Sequence, residues 1–71
     1  MGQAEIKQSL GQSLRKARRA KDITQQEVAD AIGCEVNYYA KIERGKAIPS
    51  IQLLEKIVKL LDVTATELIG F

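Results

Sequence analysis

The sequence contains no histidine and only one cysteine, Cys34. Without histidine or a second cysteine there is neither the usual ligand set of a zinc site nor a partner for an internal disulfide. We therefore expect no metal, no cofactor and a reducing, cytoplasmic environment. An enzyme is disfavoured as well, because no base is available to activate Cys34 and no glycine-rich loop could cradle a phosphate.

Long apolar runs are also missing from the sequence. No run approaches the roughly 20 residues that a membrane span requires, and the N-terminal stretch MGQAEIKQSL lacks the apolar centre of a signal peptide. We expect neither export nor membrane insertion. The formal net charge of +2 is too small to indicate nucleic-acid binding by itself, so the placement of the charges carries more information.

What remains is a composition typical of a small helical domain. The 71 residues leave room for a single domain, residues 1–71, with an ordered core expected at about 8–69. Hydrophobic residues make up 45% and charged residues 28%, a balance typical of a folded globular protein. One proline and five glycines, against many strong helix formers, predict an all-α fold, a compact five-helix bundle.

Apolar spacing predicts the first two helices. Leu10, Leu14 and Ala17 recur at spacings of four and three and predict helix 1 over residues 9–21. Thr24 and Glu27 have the spacing of a capping box and predict the start of helix 2. Its buried face is expected to consist of Val28, Ala29 and Ile32, with Gly33 as the left-handed stop.

Three further helices are predicted downstream. Helix 3 should cover about residues 36–44, bury Tyr39 and Ile42, and end at Gly45. Ser50 is a good N-cap for helix 4, which Asp62 can end. The apolar face expected for helix 4 is Ile51, Leu54, Ile57, Val58 and Leu61. A second capping-box spacing predicts a fifth helix over residues 65–69, from Thr64, Glu67, Val63 and Leu68.

Two short helices joined by a tight glycine turn can place one helix in the DNA major groove, although many folds contain such a pair. Specific motifs strengthen this interpretation: T-Q-x-E-x-A at the start of helix 2, K-I-E-R-G at the end of helix 3, and P-S-x-x-x-L opening helix 4. With the Gly33 turn, they make the chain resemble the Cro/repressor (Xre-like) helix-turn-helix family. The resemblance implies a lambda-repressor-like domain and a repressor-like transcriptional regulator of bacterial or phage origin.

The resemblance also assigns a face of helix 3 to base edges: Val36, Asn37, Ala40 and Lys41. Asn37 can pair with adenine through both of its amide groups, Val36 can contact a thymine methyl, and Lys41 can donate to guanine or phosphate. The small side chain of Ala40 permits a close approach to the DNA. The alternative is that these residues are simply the solvent side of an amphipathic helix.

Other positions are implied to contact phosphate or to hold the domain together. The phosphate-contacting set is Gln25, Tyr38, Arg44 and Lys46. Gln25 would also buttress helix 3, or else be a solvated helix residue. Arg18 and Glu43 match a structural ion pair between helix 1 and the end of helix 3.

Three residues depart from the family pattern. Glu35 stands where the family commonly has a serine or threonine cap for helix 3, so it caps more weakly and could tune DNA specificity through its charge. Cys34 replaces an aliphatic residue and is expected to be a small buried hydrophobe. The sequence offers no explanation for the apolar residue at Ile48.

The expected partner is double-stranded DNA, with no small-molecule ligand. One recognition helix makes few contacts, so we expect a homodimer on a pseudo-palindromic operator. Leu60, Ile69 and Phe71 are the expected interface, or alternatively pack across the open end of the protein's own core. A second function also fits: an antitoxin-like or adaptor module whose main partner is another protein.

Overall fold

The computed structural model describes residues 3–62 of the chain. Within this range it contains four helices and no strand: α1 (Gln3–Ala20), α2 (Gln25–Ile32), α3 (Val36–Glu43) and α4 (Ile51–Leu61). The fold of this range is therefore all-α, but the prediction of a five-helix bundle is wrong, since residues 3–62 form four helices. The segment 65–69 that was assigned to a fifth helix lies outside the described residues, as do Val63, Thr64, Glu67 and Leu68.

Helix α1 begins well before the sequence predicts. It starts at Gln3, whereas the apolar stripe that marked the helix starts only at Leu10. The first turns leave Ile6 60% exposed and contribute little to the core. Because periodicity reveals a helix only where one face is buried, these turns gave no signal.

Helix α2 has both of its predicted ends. The Thr24 hydroxyl accepts a hydrogen bond from the Glu27 amide at 3.0 Å, and the Glu27 carboxylate accepts one from the Thr24 amide at 2.9 Å. At the other end Gly33 has φ 77° and donates its N–H to the Ala29 carbonyl at 2.9 Å. Glycine occupies this left-handed conformation without a β-carbon clash, so the chain can reverse and start α3 at Val36.

Helices α3 and α4 differ in how they begin. Glu35 occupies the N-cap of α3 but makes no side-chain capping hydrogen bond, in agreement with its weak capping chemistry. Ser50 caps α4, and its hydroxyl accepts from the Leu53 amide at 3.1 Å. Asp62 ends α4 in the left-handed conformation at φ 54°, which confirms its predicted role.

The core lies between the four helices. Its buried side chains are Leu10, Leu14, Val28, Ala29, Ile32, Tyr39, Ile42, Ile57 and Leu61. One predicted member is wrong, because Ile51 is 76% exposed. At 3.6 residues per turn it lies about 120° around α4 from Ile57, and it is the first residue of the helix. It therefore projects beyond the point where α4 meets the core.

The backbones of helices α1 and α3 are in direct contact at Gly11. Gly11 is buried, and a β-carbon added to it would lie 2.5 Å from the Ile42 carbonyl oxygen and closer still to that of Glu43. This contact fixes α1 against the end of α3. Within the described residues, no helix is long and apolar enough to cross a membrane.

Candidate nucleic-acid interface

Helix α3 has one face in the core and one in solvent. Tyr39, Ile42 and Glu43 are buried, so the rotation of the helix about its axis is fixed. Asn37, Lys41 and Arg44 follow one another at the spacing of helical turns, and all three are exposed. The exposed face of α3 therefore carries an amide and two cations.

Val36 and Ala40 border this face. Both are half-buried, and Val36 also packs against the core. The four residues assigned to base edges thus lie on adjacent positions of one side of α3, with Asn37 and Lys41 outermost. Their geometry fits insertion of the helix into a groove, because the small or branched border residues leave room beside the longer side chains.

The predicted phosphate-contacting residues that follow or flank α3 are accessible too. Arg44 and Lys46 are exposed where the chain leaves the helix. Tyr38 is 37% exposed, and its hydroxyl makes a long contact of 3.4 Å with the Ile48 carbonyl oxygen. This contact joins α3 to the loop before α4. The Ile48 side chain is 49% exposed, and nothing in the structure explains why it is apolar.

Glu43 is the centre of a buried polar network. Arg18 donates to both of its carboxylate oxygens, from Nε at 2.7 Å and from Nη2 at 3.2 Å. The remaining Arg18 nitrogen, Nη1, donates to the Ile23 carbonyl at 2.8 Å. Arg18 thereby connects α1 to the end of α3 and to the loop before α2.

Gln25 takes part in the same network. Its amide nitrogen donates to Glu43 Oε1 at 3.0 Å, which couples the first residue of α2 to the end of α3. Sequence reasoning placed Gln25 beside α3 but missed Glu43 as its partner. No sequence signal could have supplied that contact, since residues 25 and 43 are joined only by the tertiary fold.

The network is charged at neutral pH. Burial raises the pKa of the Glu43 carboxyl, but hydrogen bonds from Arg18 and Gln25 outweigh burial and leave that pKa below its usual value. The hydrogen bond to Glu43 raises the pKa of Arg18. Tyr39 faces the same carboxylate, and burial followed by this neighbour raises its pKa. Its buried hydroxyl has no hydrogen-bond partner of standard geometry among the described residues.

Cys34 is half-buried against the core at the start of the α2–α3 turn. Burial, and then the charge of Glu35, raise the pKa of its thiol, so a reactive thiolate is disfavoured. In the part of the chain that the structure describes, no cluster of acidic or cysteine side chains could hold a metal ion.

Only one of the three residues predicted to form the dimer interface, Leu60, is among the described residues. Leu60 is half-buried and packs against the core of its own chain. Ile69 and Phe71 lie outside the described residues. The described structure therefore shows Leu60 in an intramolecular contact, with part of its surface left accessible.

Comparison with known proteins identifies the family. A family model described as helix-turn-helix matches residues 14–68, a range that contains α2, the Gly33 turn and α3. The chain belongs to the Xre-like helix-turn-helix family of transcriptional regulators. This membership confirms the resemblance drawn from the motifs and places the chain in a class of regulators, not of enzymes.

Relatives of this family include small control proteins and a phage repressor. Control protein C.MunI of Mycoplasma sp is 40% identical over 65 residues, which span 90% of this chain and 88% of that protein. The cryptic phage CTXphi transcriptional repressor RstR of Vibrio cholerae is 36% identical over 57 residues, and the match covers 80% of this chain. The matched region is about half, 51%, of that repressor's length.

A solved structure shows the same fold. The restriction-modification controller protein C.AhdI from Aeromonas hydrophila superimposes with a TM-score of 0.80 at 32% sequence identity. The superposition covers 92% of this chain and 97% of that one. The arrangement of the four helices is therefore shared with a regulator of similar size.

Proposed function

We propose that this protein is a sequence-specific, repressor-like DNA-binding regulator that inserts α3 into the major groove. The observation that supports this most is the exposed face of α3, where Asn37 and Lys41 project from a helix held by the core and by Glu43. A helix held in this way presents donors and acceptors in a fixed geometry, which direct reading of base edges requires. Membership of the helix-turn-helix family supports the same proposal.

In this proposal, base edges are read by one side of α3, which carries Asn37, Val36, Ala40 and Lys41. Asn37 pairs with adenine, Val36 contacts a thymine methyl, and Lys41 donates to guanine or to a nearby phosphate. Ala40 allows the helix backbone to approach the base pairs. These roles follow from side-chain chemistry and from the shared face that the four residues occupy.

In the same proposal, the domain is positioned on the phosphate backbone by Arg44, Lys46, Tyr38 and Gln25. Arg44 and Lys46 supply exposed cations beside the end of α3. Gln25 uses one amide hydrogen for Glu43, and an amide has a second hydrogen that can donate to a phosphate. Gln25 would then link the polar network of the core directly to DNA.

Replacing Asn37 with alanine should weaken binding to the preferred duplex by about 5-fold to 150-fold for each protomer bound, because each protomer loses one paired base contact. Binding to a mixed-sequence duplex should hardly change, because phosphate contacts dominate there. Fluorescence anisotropy titrations with both duplexes measure the two effects. The matched control is Gln52→Ala, which removes an exposed amide from α4. Equal affinities for Asn37→Ala and wild type on the preferred duplex would show that Asn37 does not read a base.

A homodimer on a pseudo-palindromic operator completes the proposal. Half-sites of such operators lie about one DNA turn apart, roughly 34 Å, so two copies of α3 can read them together. The proposed interface consists of Leu60, Ile69 and Phe71. The protein would act as a single domain, residues 1–71, in the cytoplasm. The accessible part of Leu60 is the described feature that supports this surface.

A protein-binding module, antitoxin-like or an adaptor, is the second candidate. The observation that favours it is the exposure of two large apolar side chains near the start of α4, Ile48 at 49% and Ile51 at 76%. Such a module would not need the amide and cations on α3. Selection from a random duplex library separates the two functions, since only the first enriches a sequence.

A further inference from the structure

An open groove lies where α1 meets the end of α3 and the chain that follows it. Its volume is about 430 Å³, and it is lined by Gln8, Gln12, Arg15, Glu43, Arg44 and Lys46. On α1 the lining side chains recur at helical spacing, so they form one stripe of that helix. Neither the family motifs nor the predicted DNA contacts include this α1 stripe.

Arg15 lies at the edge of the buried network and forms its longest ion pair. Its Nε forms an ion pair with Glu43 Oε1 at 3.7 Å, too long for a hydrogen bond, whereas Arg18 and Gln25 donate to that carboxylate at 2.7 to 3.2 Å. The Arg15 side chain is 47% exposed, compared with 11% for Arg18. Arg15 therefore keeps hydrogen-bond donors that a ligand from solvent can reach, although its charge is paired with Glu43.

The groove is positively charged overall. Among the described residues, Glu43 is the only acidic one that lines it, and that carboxylate is buried and neutralised by Arg18. Three cations, Arg15, Arg44 and Lys46, then remain with two amides as possible donors. Glu5 lies on the same stripe of α1 one turn before Gln8, but it does not line the groove.

We infer that this groove binds the DNA phosphate backbone and extends the contacts of Arg44 and Lys46 onto α1 through Gln12 and Arg15. The inference rests on the proposed function, in which Arg44 and Lys46 contact phosphates. From Gln8 to Arg15 the helix rises about 10 Å, and a DNA strand carries one charge per roughly 3.4 Å of axis. The stripe is long enough for a stretch of backbone, and cations with amides are the side chains that bind phosphodiesters.

Arg15→Gln and Gln12→Lys test the groove through opposite changes of charge. Anisotropy titrations use a mixed-sequence duplex from about 50 to 200 mM salt, where each phosphate contact contributes about 0.9 to the slope of log affinity against log salt. Arg15→Gln should make the slope shallower by about 0.9 for each protomer bound, and Gln12→Lys should make it steeper by about the same amount. Affinity should fall for the first variant and rise for the second.

Lys59→Gln is the matched control, because it removes an exposed cation from α4 that does not line the groove. Thermal melts followed by circular dichroism check that each variant is folded, and Gln12→Lys keeps every contact of the buried network. The groove does not bind DNA if two results are found together: Arg15→Gln has the same salt slope as Lys59→Gln, and Gln12→Lys has the same salt slope as the wild-type protein. Absence of salt-dependent binding by the wild-type protein would instead contradict the proposed function itself.

Discussion

Glu43→Ala is expected to lower the free energy of unfolding by about 3 to 5 kcal/mol, because it leaves the guanidinium of Arg18 buried without its partner. The Arg18 side chain is only 11% exposed and donates to both carboxylate oxygens. Gln25 loses its partner in the same change. A domain of this size has roughly 4 to 10 kcal/mol of stability in total, so the variant should lose about a third of that stability or more.

Urea unfolding of Glu43→Ala, Arg18→Met and the double variant measures this coupling. The double variant should be more stable than the sum of the single losses predicts, because neither charge is then left alone. Glu55→Ala, at an exposed glutamate of α4, is the control and should change stability by less than about 0.5 kcal/mol. A structural role for Arg18 would be contradicted if Arg18→Ala weakened DNA binding without changing the melting temperature.

The pH dependence of stability has a definite sign in this network. The pKa of Glu43 is lowered in the folded protein, so its ionised form stabilises the fold at every pH above the unfolded value of about 4.3. That contribution is lost as the pH falls through the lower, folded pKa. Glu43→Gln should therefore show a shallower loss of stability below about pH 4 than the wild-type protein.

Gly11→Ala is expected to destabilise the protein by about 3 kcal/mol, near the upper end of the range for an overpacked core. In an unconstrained helix interior the same change stabilises by about 0.5 to 1 kcal/mol, so the structure reverses the sign. The obstacles are the carbonyl oxygens of Ile42 and Glu43, with the Ile42 oxygen 2.5 Å from the added carbon. Backbone atoms cannot turn aside as a flexible side chain can, so α1 and α3 must separate.

Gly33→Ala is the control for Gly11→Ala. Nothing lies within 4 Å of a β-carbon at Gly33, but its φ of 77° is left-handed. The expected loss there is only about 1 to 2 kcal/mol, from backbone strain alone. Chemical denaturation of both variants gives the comparison, and a stabilised Gly11→Ala would mean that α1 and α3 are not in backbone contact.

The helix boundaries with specific end chemistry could be predicted from the sequence. At these boundaries a side chain satisfies a free backbone group, or a residue ends the helix in the left-handed conformation. Both interactions are local, and they involve Thr24 with Glu27, Gly33, Ser50 and Asp62. The start of α1 could not be predicted, because its first turns bury little. Ile51 was misplaced because an apolar residue at the start of a helix is buried only if the helix meets a partner there.

The sequence alone led only to the exposed part of the candidate site, whose role in DNA binding stays a prediction. The family resemblance predicted a DNA-reading face on α3 and phosphate contacts at Arg44 and Lys46, and the residue types suit those roles. The contact of Gln25 with Glu43 and the groove beside Arg15 arise where α1, α2 and α3 converge. Such contacts join positions far apart in the chain and leave no periodic pattern in it.

Selection from a random duplex library with the purified protein tests the central claim most directly, namely that α3 reads a specific DNA sequence as part of a dimer. We predict enrichment of a pseudo-palindrome whose half-sites lie about one helical turn apart, roughly 34 Å, with affinity for the winner falling steeply as salt rises. Failure to enrich any sequence would contradict that claim and favour a protein-binding module.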